Sequence, residues 1–235
     1  MRTAWLVMLI VLAIILLPSI IAEPSGTSIS DASTSQRVND TAANRTDTGG
    51  TITTMVISSI QQNTNWKAYV GNISGSLTLD DAQNKTIYDW SIVSLAGELY
   101  VSRVDSVTWS SLNCSLDANV TSEESLLGFA SSDSDNINRT FNETTHRSFL
   151  TGTRNISGCK SKALYVNDSA QAVAMPSATF QEIVGFDGTN TVFVSLLEND
   201  GQGYDNETTF DFQIIVPQNK STGTATPYYF WVELG

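Results

Sequence analysis

The distribution of asparagine constrains this fold more than any other feature of the sequence. Of the 17 asparagines, 12 begin an Asn-x-Ser/Thr sequon, although the serine and threonine content would place only about four there by chance. An oligosaccharide on such an asparagine requires a secreted chain and a side chain that reaches solvent. The fold is therefore expected to hold these residues at its surface. The 12 predicted acceptors are Asn39, Asn44, Asn72, Asn84, Asn113, Asn119, Asn138, Asn142, Asn155, Asn167, Asn206 and Asn219.

Turn formation is the alternative explanation of this pattern, because asparagine, serine and threonine also gather in turns for conformational reasons. None of the 12 sequons has proline at its middle position, where proline would block the acceptor. Asn113 is the weakest member of the set. Cys114 occupies its middle position, and a disulfide there would hinder transfer of the oligosaccharide.

The first 22 residues predict export. Arg2 precedes an apolar run from Ala4 to Leu17, and Ala22 offers a cleavage position, as in a secretory signal peptide. The stretch from Ala4 to Ala22 is also long enough to cross a bilayer as a helix, so a retained N-terminal anchor is the alternative. Both interpretations place the rest of the chain outside the cell or at its surface. Membrane contact is expected only through residues 4–22, if they are not removed.

The charge balance restricts the class of partner. The formal net charge is −12, and lysine and arginine total only 12 residues without forming a basic run. Nucleic acids and anionic lipid surfaces attract basic patches, so neither is expected to bind this chain.

The two cysteines, Cys114 and Cys159, predict one disulfide bond. Cysteines of secreted chains usually pair, and no third cysteine competes. The bridge would close a loop of roughly 45 residues, which would stabilise the fold by about 4 kcal/mol. Two buried free thiols are the alternative.

The chain divides into three regions. Residues 1–22 form the signal peptide or anchor. Residues 23–50 are rich in serine, threonine, aspartate and glycine, bury too little apolar surface to fold, and predict a flexible, glycosylated stalk. Residues 51–235 carry short β-branched and aromatic runs between turns, which predicts an all-β domain of β-sandwich or jelly-roll type with one short helix.

Thr51–Ile60 is the first expected strand, and its apolar residues on both faces predict burial on both sides. Trp66–Asp80 alternates, so that Tyr69, Ile73, Leu77 and Leu79 would face the core while Asn72 faces solvent. The one helix is expected over Thr121–Phe129, where Thr121 and Glu124 would form a capping box. The other predicted strands are Ile87–Val93, Glu98–Val104, Val107–Leu112, Ala163–Val166, Ala172–Met175, Val192–Leu197, Thr209–Val216 and Tyr228–Leu234.

Motifs for catalysis are missing from the sequence. It has no metalloprotease, nucleotide-binding, nucleophile-elbow or paired-cysteine motif. Its single histidine, His146, gives little support to a Ser-His-Asp triad or to a zinc site with several histidine ligands. Glycoside hydrolysis needs only two opposed carboxylates, so pairs such as Asp80–Asp81 and Glu123–Glu124 keep a secreted glycosidase as a remote alternative. The prediction is a non-enzyme without a required cofactor.

One loop has the composition of a calcium site. Asp200 and Asp205 supply oxygen ligands, and the glycines between them would allow the backbone to wrap around an ion. The same residues also make an ordinary hairpin loop between two strands, which is the competing interpretation.

Aromatic residues offer a further binding hypothesis. They would either line a sugar-stacking platform or, at strand positions, belong to the core. The residues concerned are Trp66, Tyr69, Tyr88, Trp90, Trp109 and Trp231.

The stretches GELYVS, GFDGTN, TFDFQIIVP and YYFWVEL, together with the stalk and the sequons, are similar to those of archaeal secreted, N-glycosylated surface proteins. The resemblance extends from Thr51 to Gly235. It implies a structural role in a filament, coat or tethered ectodomain, and self-association in which an N-terminal strand, here Thr51–Ile60, completes the sheet of another subunit. Pairing of Thr51–Ile60 within its own domain is one alternative. An adhesion module that binds sugar or a partner cell is the alternative function.

Overall fold

The computed structural model describes residues 23–30, 32–92, 95–171, 177–221 and 223–234. The expected signal peptide or anchor, residues 1–22, and the strand expected at Ala172–Met175 lie outside the described residues. No helix within the described ranges combines the length and the apolar character needed to cross a membrane.

Short β-branched and aromatic runs form strands, and the polar stretches between them turn. The strands are β1 (Ser25–Gly26), β2 (Trp66–Gly71), β3 (Leu77–Asp80), β4 (Thr86–Trp90), β5 (Gly97–Ser102), β6 (Asn113–Cys114), β7 (Phe149–Thr151), β8 (Arg154–Ile156), β9 (Ser161–Ala163), β10 (Gln181–Phe186), β11 (Thr191–Leu196), β12 (Gly201–Gln202), β13 (Thr209–Phe210), β14 (Phe212–Pro217) and β15 (Tyr229–Leu234). The helices are α1 (Asp117–Leu126), α2 (Ile137–Thr140) and a 3-10 turn at Trp109–Ser111. The expected mainly β fold with one short helix is confirmed.

A seven-stranded antiparallel sheet organises the domain. Its strands run in the order β1–β15–β5–β11–β10–β6, and β9 pairs with another part of β10. In β5, β10 and β11 almost every residue is buried, whichever face it points to. Such strands must be covered on both faces, so the sheet is the middle layer of the structure.

One face of this sheet packs against the two-stranded β2–β14 ribbon and helix α1. Leu99, Val101 and Phe193 of the sheet meet Ile214 and Val216 of the ribbon in one apolar core. The opposite face is covered by the β7–β8 hairpin and the 3-10 turn, where Phe149 and Ile156 join a second core. The domain is therefore a sandwich of unequal layers, with the larger sheet between two narrower ones.

Helix α1 begins four residues before its predicted start. Leu116 is the N-cap, and its backbone N–H donates to Oδ1 of Asn119 at 3.0 Å. The predicted capping box is wrong because Thr121 lies inside the helix. The carboxylate of Glu124 instead accepts the backbone N–H of Asn138, at the start of α2, at 2.7 Å.

Four strand predictions are also wrong. Residues 51–60 form no strand and are exposed, residues 107–112 contain the 3-10 turn, and the strand expected at Ala163–Val166 ends at Ala163. The fourth, Trp66–Asp80, is divided between β2 and β3. The division follows from the loop after Gly71, where the N–H of Ile73 donates to the carboxylate of Asp211 at 2.8 Å. Leu77 and Leu79 consequently leave the core and are 46% and 54% exposed.

The predicted disulfide between Cys114 and Cys159 is present, with a sulfur–sulfur distance of 2.03 Å. It joins β6 to the segment before β9, and these two strands pair with consecutive parts of β10. Both helices and the β7–β8 hairpin lie inside the closed loop, so the bridge holds the covering layers against the central sheet.

Replacing both cysteines with serine should lower the free energy of unfolding by about 4 kcal/mol, because the unfolded chain regains the entropy of a 45-residue loop. Chemical denaturation of wild-type and variant chains measures the difference. Reductant should destabilise the wild type by a similar amount and leave the variant unchanged. A loss below about 1 kcal/mol would contradict the argument that the loop is constrained.

Candidate functional site

The sequon asparagines lie at the surface as a set. Nine are exposed, three are half-buried, and none is buried. The one buried asparagine, Asn136 at 3% exposure, lies outside the sequons. The half-buried sequon positions are Asn119, Asn138 and Asn219.

Sequon and non-sequon asparagines also differ in whether Nδ2, the side-chain nitrogen to which an oligosaccharide would be attached, donates a hydrogen bond. Outside the sequons, Nδ2 donates a hydrogen bond in four of the five asparagines. The donors are Asn63 and Asn65 to Asp135, Asn136 to the carbonyls of Ala130 and Ser131, and Asn190 to Asp187. Asn219 makes a further contact and is left out of this comparison. Among the other sequon asparagines of the described structure, only Asn138 donates a hydrogen bond through Nδ2, to Glu124 at 3.4 Å. The other ten acceptors therefore combine an accessible position with an uncommitted nitrogen.

Three sequon asparagines have a conformational role as well. Asn84, Asn167 and Asn206 have φ values of 58°, 54° and 62°, a left-handed conformation that asparagine tolerates in turns. This explains the choice of asparagine at those positions. At two of them the hydroxyl two residues later also bonds within the turn, since Ser169 donates to the carbonyl of Asn167 at 3.3 Å and Thr208 donates to the carboxylate of Asp205 at 2.9 Å.

Asn113 is the exception expected from the sequence. Its side chain is exposed, but the next residue is in the disulfide and Ser115 is 5% exposed with its hydroxyl unpaired. The hydroxyl that completes the sequon is thus inaccessible in the folded chain, and modification there would have to precede folding.

The N-terminal region differs in part from the flexible stalk that was predicted. Its first residues pair with the large sheet, because Ser25 and Gly26 lie opposite Val232 and Trp231 of β15. The remaining described positions up to residue 48 have no regular structure and are exposed. Their ion pairs are local, as between Arg45 and Asp47.

Thr51–Ile60 is the most unusual surface of the molecule. Five large apolar side chains lie within ten residues, and each is at least 53% exposed; they are Ile52, Met55, Val56, Ile57 and Ile60. In the described structure the backbone of residues 52–60 makes no hydrogen bond. Side chains of this kind usually gain about 1.5–3 kcal/mol each on full burial. The segment thus has the composition of a buried strand but pairs with no strand among the described residues.

The β2–β14 ribbon leaves part of the first core uncovered. No strand in the described ranges pairs with the outer edge of β2. Four half-buried residues lie where β2 approaches β15, and we call them the β2–β15 rim: Tyr69, Ile73, Phe230 and Leu234. The rings of Tyr69 and Phe230 meet edge to face with their centroids 5.1 Å apart.

His146 is poorly placed for catalysis. It is 7% exposed, its Nε2 accepts the backbone N–H of Cys159 at 2.9 Å, and its Nδ1 lies 2.7 Å from the carbonyl of Arg147. Burial lowers the pKa of this imidazole and favours the neutral form. In that form both ring nitrogens are occupied, so the residue fixes a loop beside the disulfide.

The acid pairs named from the sequence are separated by their contacts. Asp81 accepts backbone N–H groups within its own turn, and Glu123 forms a two-point ion pair with Arg103 at 2.6 and 2.8 Å.

A different pair of carboxylates is brought together by the register of the sheet. Glu98 of β5 lies directly opposite Glu233 of β15. The hydroxyl of Tyr100 and the N–H of Gly152 donate to Glu233 at 3.0 and 2.9 Å. Burial, followed by the charge of Glu233, raises the pKa of Glu98 to about 8. Nothing in the local sequence marks this pair, because only strand pairing joins the two positions.

The loop proposed to bind calcium behaves as a hairpin turn. The carboxylate of Asp205 accepts the N–H and the hydroxyl of Thr208 at 3.0 and 2.9 Å. Asp200 contributes its backbone N–H, which donates to Asp211 at 3.2 Å. The described residues contain no group of three or more acidic, histidine or cysteine side chains arranged to hold a metal. Turn formation accounts for these contacts, so calcium binding stays a sequence prediction without geometric support.

The six aromatic residues proposed as a sugar platform fall into two sets. Trp66, Tyr69, Trp109 and Trp231 are half-buried and pack on other aromatic side chains. Tyr88 and Trp90 are 59% and 49% exposed, and their ring centroids are 5.1 Å apart.

Comparison with protein-family models, curated proteins and solved structures finds no match to this chain. The assignment of a role therefore depends on the exposed acceptors, the unpaired segment and the uncovered rim.

The Glu98–Glu233 pair predicts a pH-dependent stability. The folded-state pKa of Glu98, about 8, exceeds its ordinary value of 4.5, so folding takes up a proton between these values and stability falls as pH rises through that window. Glu98→Gln should remove this slope, on the order of 1 kcal/mol per pH unit at most. Denaturation curves at pH 5 and pH 8 measure it, with Glu207→Gln in the exposed β12–β13 turn as control. Equal slopes in the Glu98 variant and the control would contradict the proposed cause.

Proposed function

We propose that this protein is a non-catalytic, N-glycosylated structural component of the cell surface, and that its subunits assemble by strand donation. The observation that carries the proposal is the segment Thr51–Ile60, which is uncharged, rich in β-branched residues and unpaired in the part of the chain that the structure describes. Strand addition supplies backbone hydrogen bonds to such a segment and pockets for its alternate side chains.

The acceptor would be a second copy of the same chain. Its β2–β14 ribbon has only two strands and leaves the β2–β15 rim half-covered. A donated strand would therefore remove apolar surface from water on both partners. An uncharged donor also avoids the repulsion expected between two subunits of net charge −12.

Deletion of residues 51–60 from the full chain should abolish assembly, because it removes the donor and leaves the domain intact. Light scattering after size-exclusion chromatography and negative-stain electron microscopy measure the change. Val38→Ser is the matched control, since Val38 is equally apolar and 85% exposed but lies outside the segment. Assembly that survives the deletion, or a wild type that stays monomeric at every concentration, would contradict strand donation.

Glycopeptide mass spectrometry of the secreted protein should find oligosaccharide at the nine acceptors with an uncommitted Nδ2 other than Asn113, and lower occupancy at Asn113 and Asn138. Ser115 is buried beside the first, and Nδ2 of the second contacts Glu124. Asn63 and Asn199 are exposed asparagines outside sequons and serve as internal controls. If the sequons are unmodified in protein from the native producer, turn formation alone explains the asparagine pattern, and the glycosylation part of the proposal is wrong.

A further inference from the structure

The β3–β4 hairpin has one apolar face that is about half exposed to solvent. Leu77 pairs with Trp90 and Leu79 with Tyr88, so these four side chains lie on the same side of the two strands. Their exposure ranges from 46% to 59%. Thr78 and Asp89 form the next pair of the ladder and occupy the opposite side. We call the apolar side the hairpin face.

An isolated two-stranded hairpin is only marginally stable in water, and stability requires a third strand or a packing partner. The apolar side of this hairpin, which would pack against a partner, is already formed, because its side chains lie together and the rings of Tyr88 and Trp90 are in edge contact. Its polar side and its turn, which carries sequon Asn84, are suited to solvent. The hairpin is thus amphipathic and lacks only the surface that its apolar side would cover.

The base of the hairpin is next to the β2–β15 rim. Gly75, which precedes β3, lies so near Leu234 of the rim that a Cβ atom built on it would be 2.7 Å from Cδ1 of that leucine. The same position is 3.9 Å from Cδ1 of Ile92, which follows β4. Both ends of the hairpin therefore begin at the rim.

The donor segment has two apolar sides, and the rim can cover only one of them. Ile52, Val56 and Ile60 share one parity, while Met55 and Ile57 share the other. A strand laid along an open sheet edge packs one side on the core and turns the other side to water. Burial of both sides needs a second cover, which must be apolar and must begin close to the rim.

We propose that the hairpin face closes over the outward side of Thr51–Ile60 donated by a second copy of this chain. This inference rests on the proposed function, since it specifies how the acceptor holds the donated strand. The rim contacts one side of the donor and the hairpin face contacts the other. The acids Asp80, Asp81 and Asp89 lie at the turn or on the polar side, away from the uncharged donor.

The first experiment measures assembly of the full chain with altered hairpin faces. The double substitution Leu79→Ser with Tyr88→Ser removes a cross-strand pair from the apolar side, and should raise the critical concentration for assembly by about 30-fold or more. The matched control, Thr78→Ser with Asp89→Ser, alters the neighbouring pair on the polar side. It should change the critical concentration less than about threefold.

The second experiment measures contact directly and does not depend on a variant of the hairpin. Hydroxyl-radical footprinting of Leu79, Tyr88 and Trp90 should show several-fold protection in the assembled wild type relative to the chain lacking residues 51–60. Ile87, which is 78% exposed, is outside the four residues of the hairpin face and should stay reactive. Equal labelling of the hairpin face in both samples would overturn the inference.

The outcomes separate this inference from the proposed function. If deletion of residues 51–60 abolishes assembly while the hairpin variants and the footprint show no effect, strand donation stands and the covering role of the hairpin is wrong. If the deletion leaves assembly intact, both are wrong. Hydrogen exchange over residues 77–90 in the monomeric variants shows whether the hairpin still forms; a folded hairpin with wild-type assembly also overturns the inference.

Discussion

Strand β11 lies between β5 and β10, all six of its residues are buried, and both covering layers are attached to this part of the sheet. Phe193 faces the β2–β14 ribbon, whereas Val192 and Val194 face the β7–β8 side. The ribbon is also held by hydrogen bonds. Ser195 donates to the carbonyl of Gln213, and Glu182 accepts the N–H of Ile215, both at 2.9 Å. These bonds matter because a buried polar group destabilises the fold unless it is paired. Complete burial also raises the pKa of Glu182 well above its usual range, which favours the protonated carboxyl.

The covering layers are narrower than the sheet, and this difference produces the surfaces to which we assign a role. The ribbon covers one part of the first core and leaves the β2–β15 rim half-exposed. The hairpin that follows β2 extends from that rim with an apolar face, and the segment that precedes β2 pairs with no strand of the described structure. Three apolar surfaces are thus left exposed near one strand of an otherwise well-packed domain. In our proposal, a second copy of the chain would bring the missing strand and cover all three surfaces through one interaction.

Strand predictions succeeded where β-branched and aromatic residues are dense, as in β11, β14 and β15. They failed at β10, a central strand that the sequence pattern did not indicate. The strand begins with polar Gln181 and Glu182, and Gly185, a residue that disfavours both helices and strands, interrupts its apolar run. The space at Gly185 is tight, because a Cβ atom would lie 3.1 Å from Leu112 and 3.3 Å from two backbone oxygens. The helix start was missed because the side chain that caps it belongs to Asn119, which accepts the backbone N–H of Leu116. The sequence pattern had indicated a cap formed by Thr121 and Glu124.

The sequence by itself determined the features that depend on residue type and near neighbours: the sequons, the disulfide partners, the mainly β character and the apolar nature of Thr51–Ile60. Only the tertiary structure decided which of these residues meet. It placed Tyr100 beside Glu233, 133 positions away, and divided the aromatic residues between core and surface. It also left Thr51–Ile60 exposed and unpaired among the residues that the structure describes. The physical reason is that propensity acts over a few residues, whereas strand register and burial are fixed by packing of the whole chain.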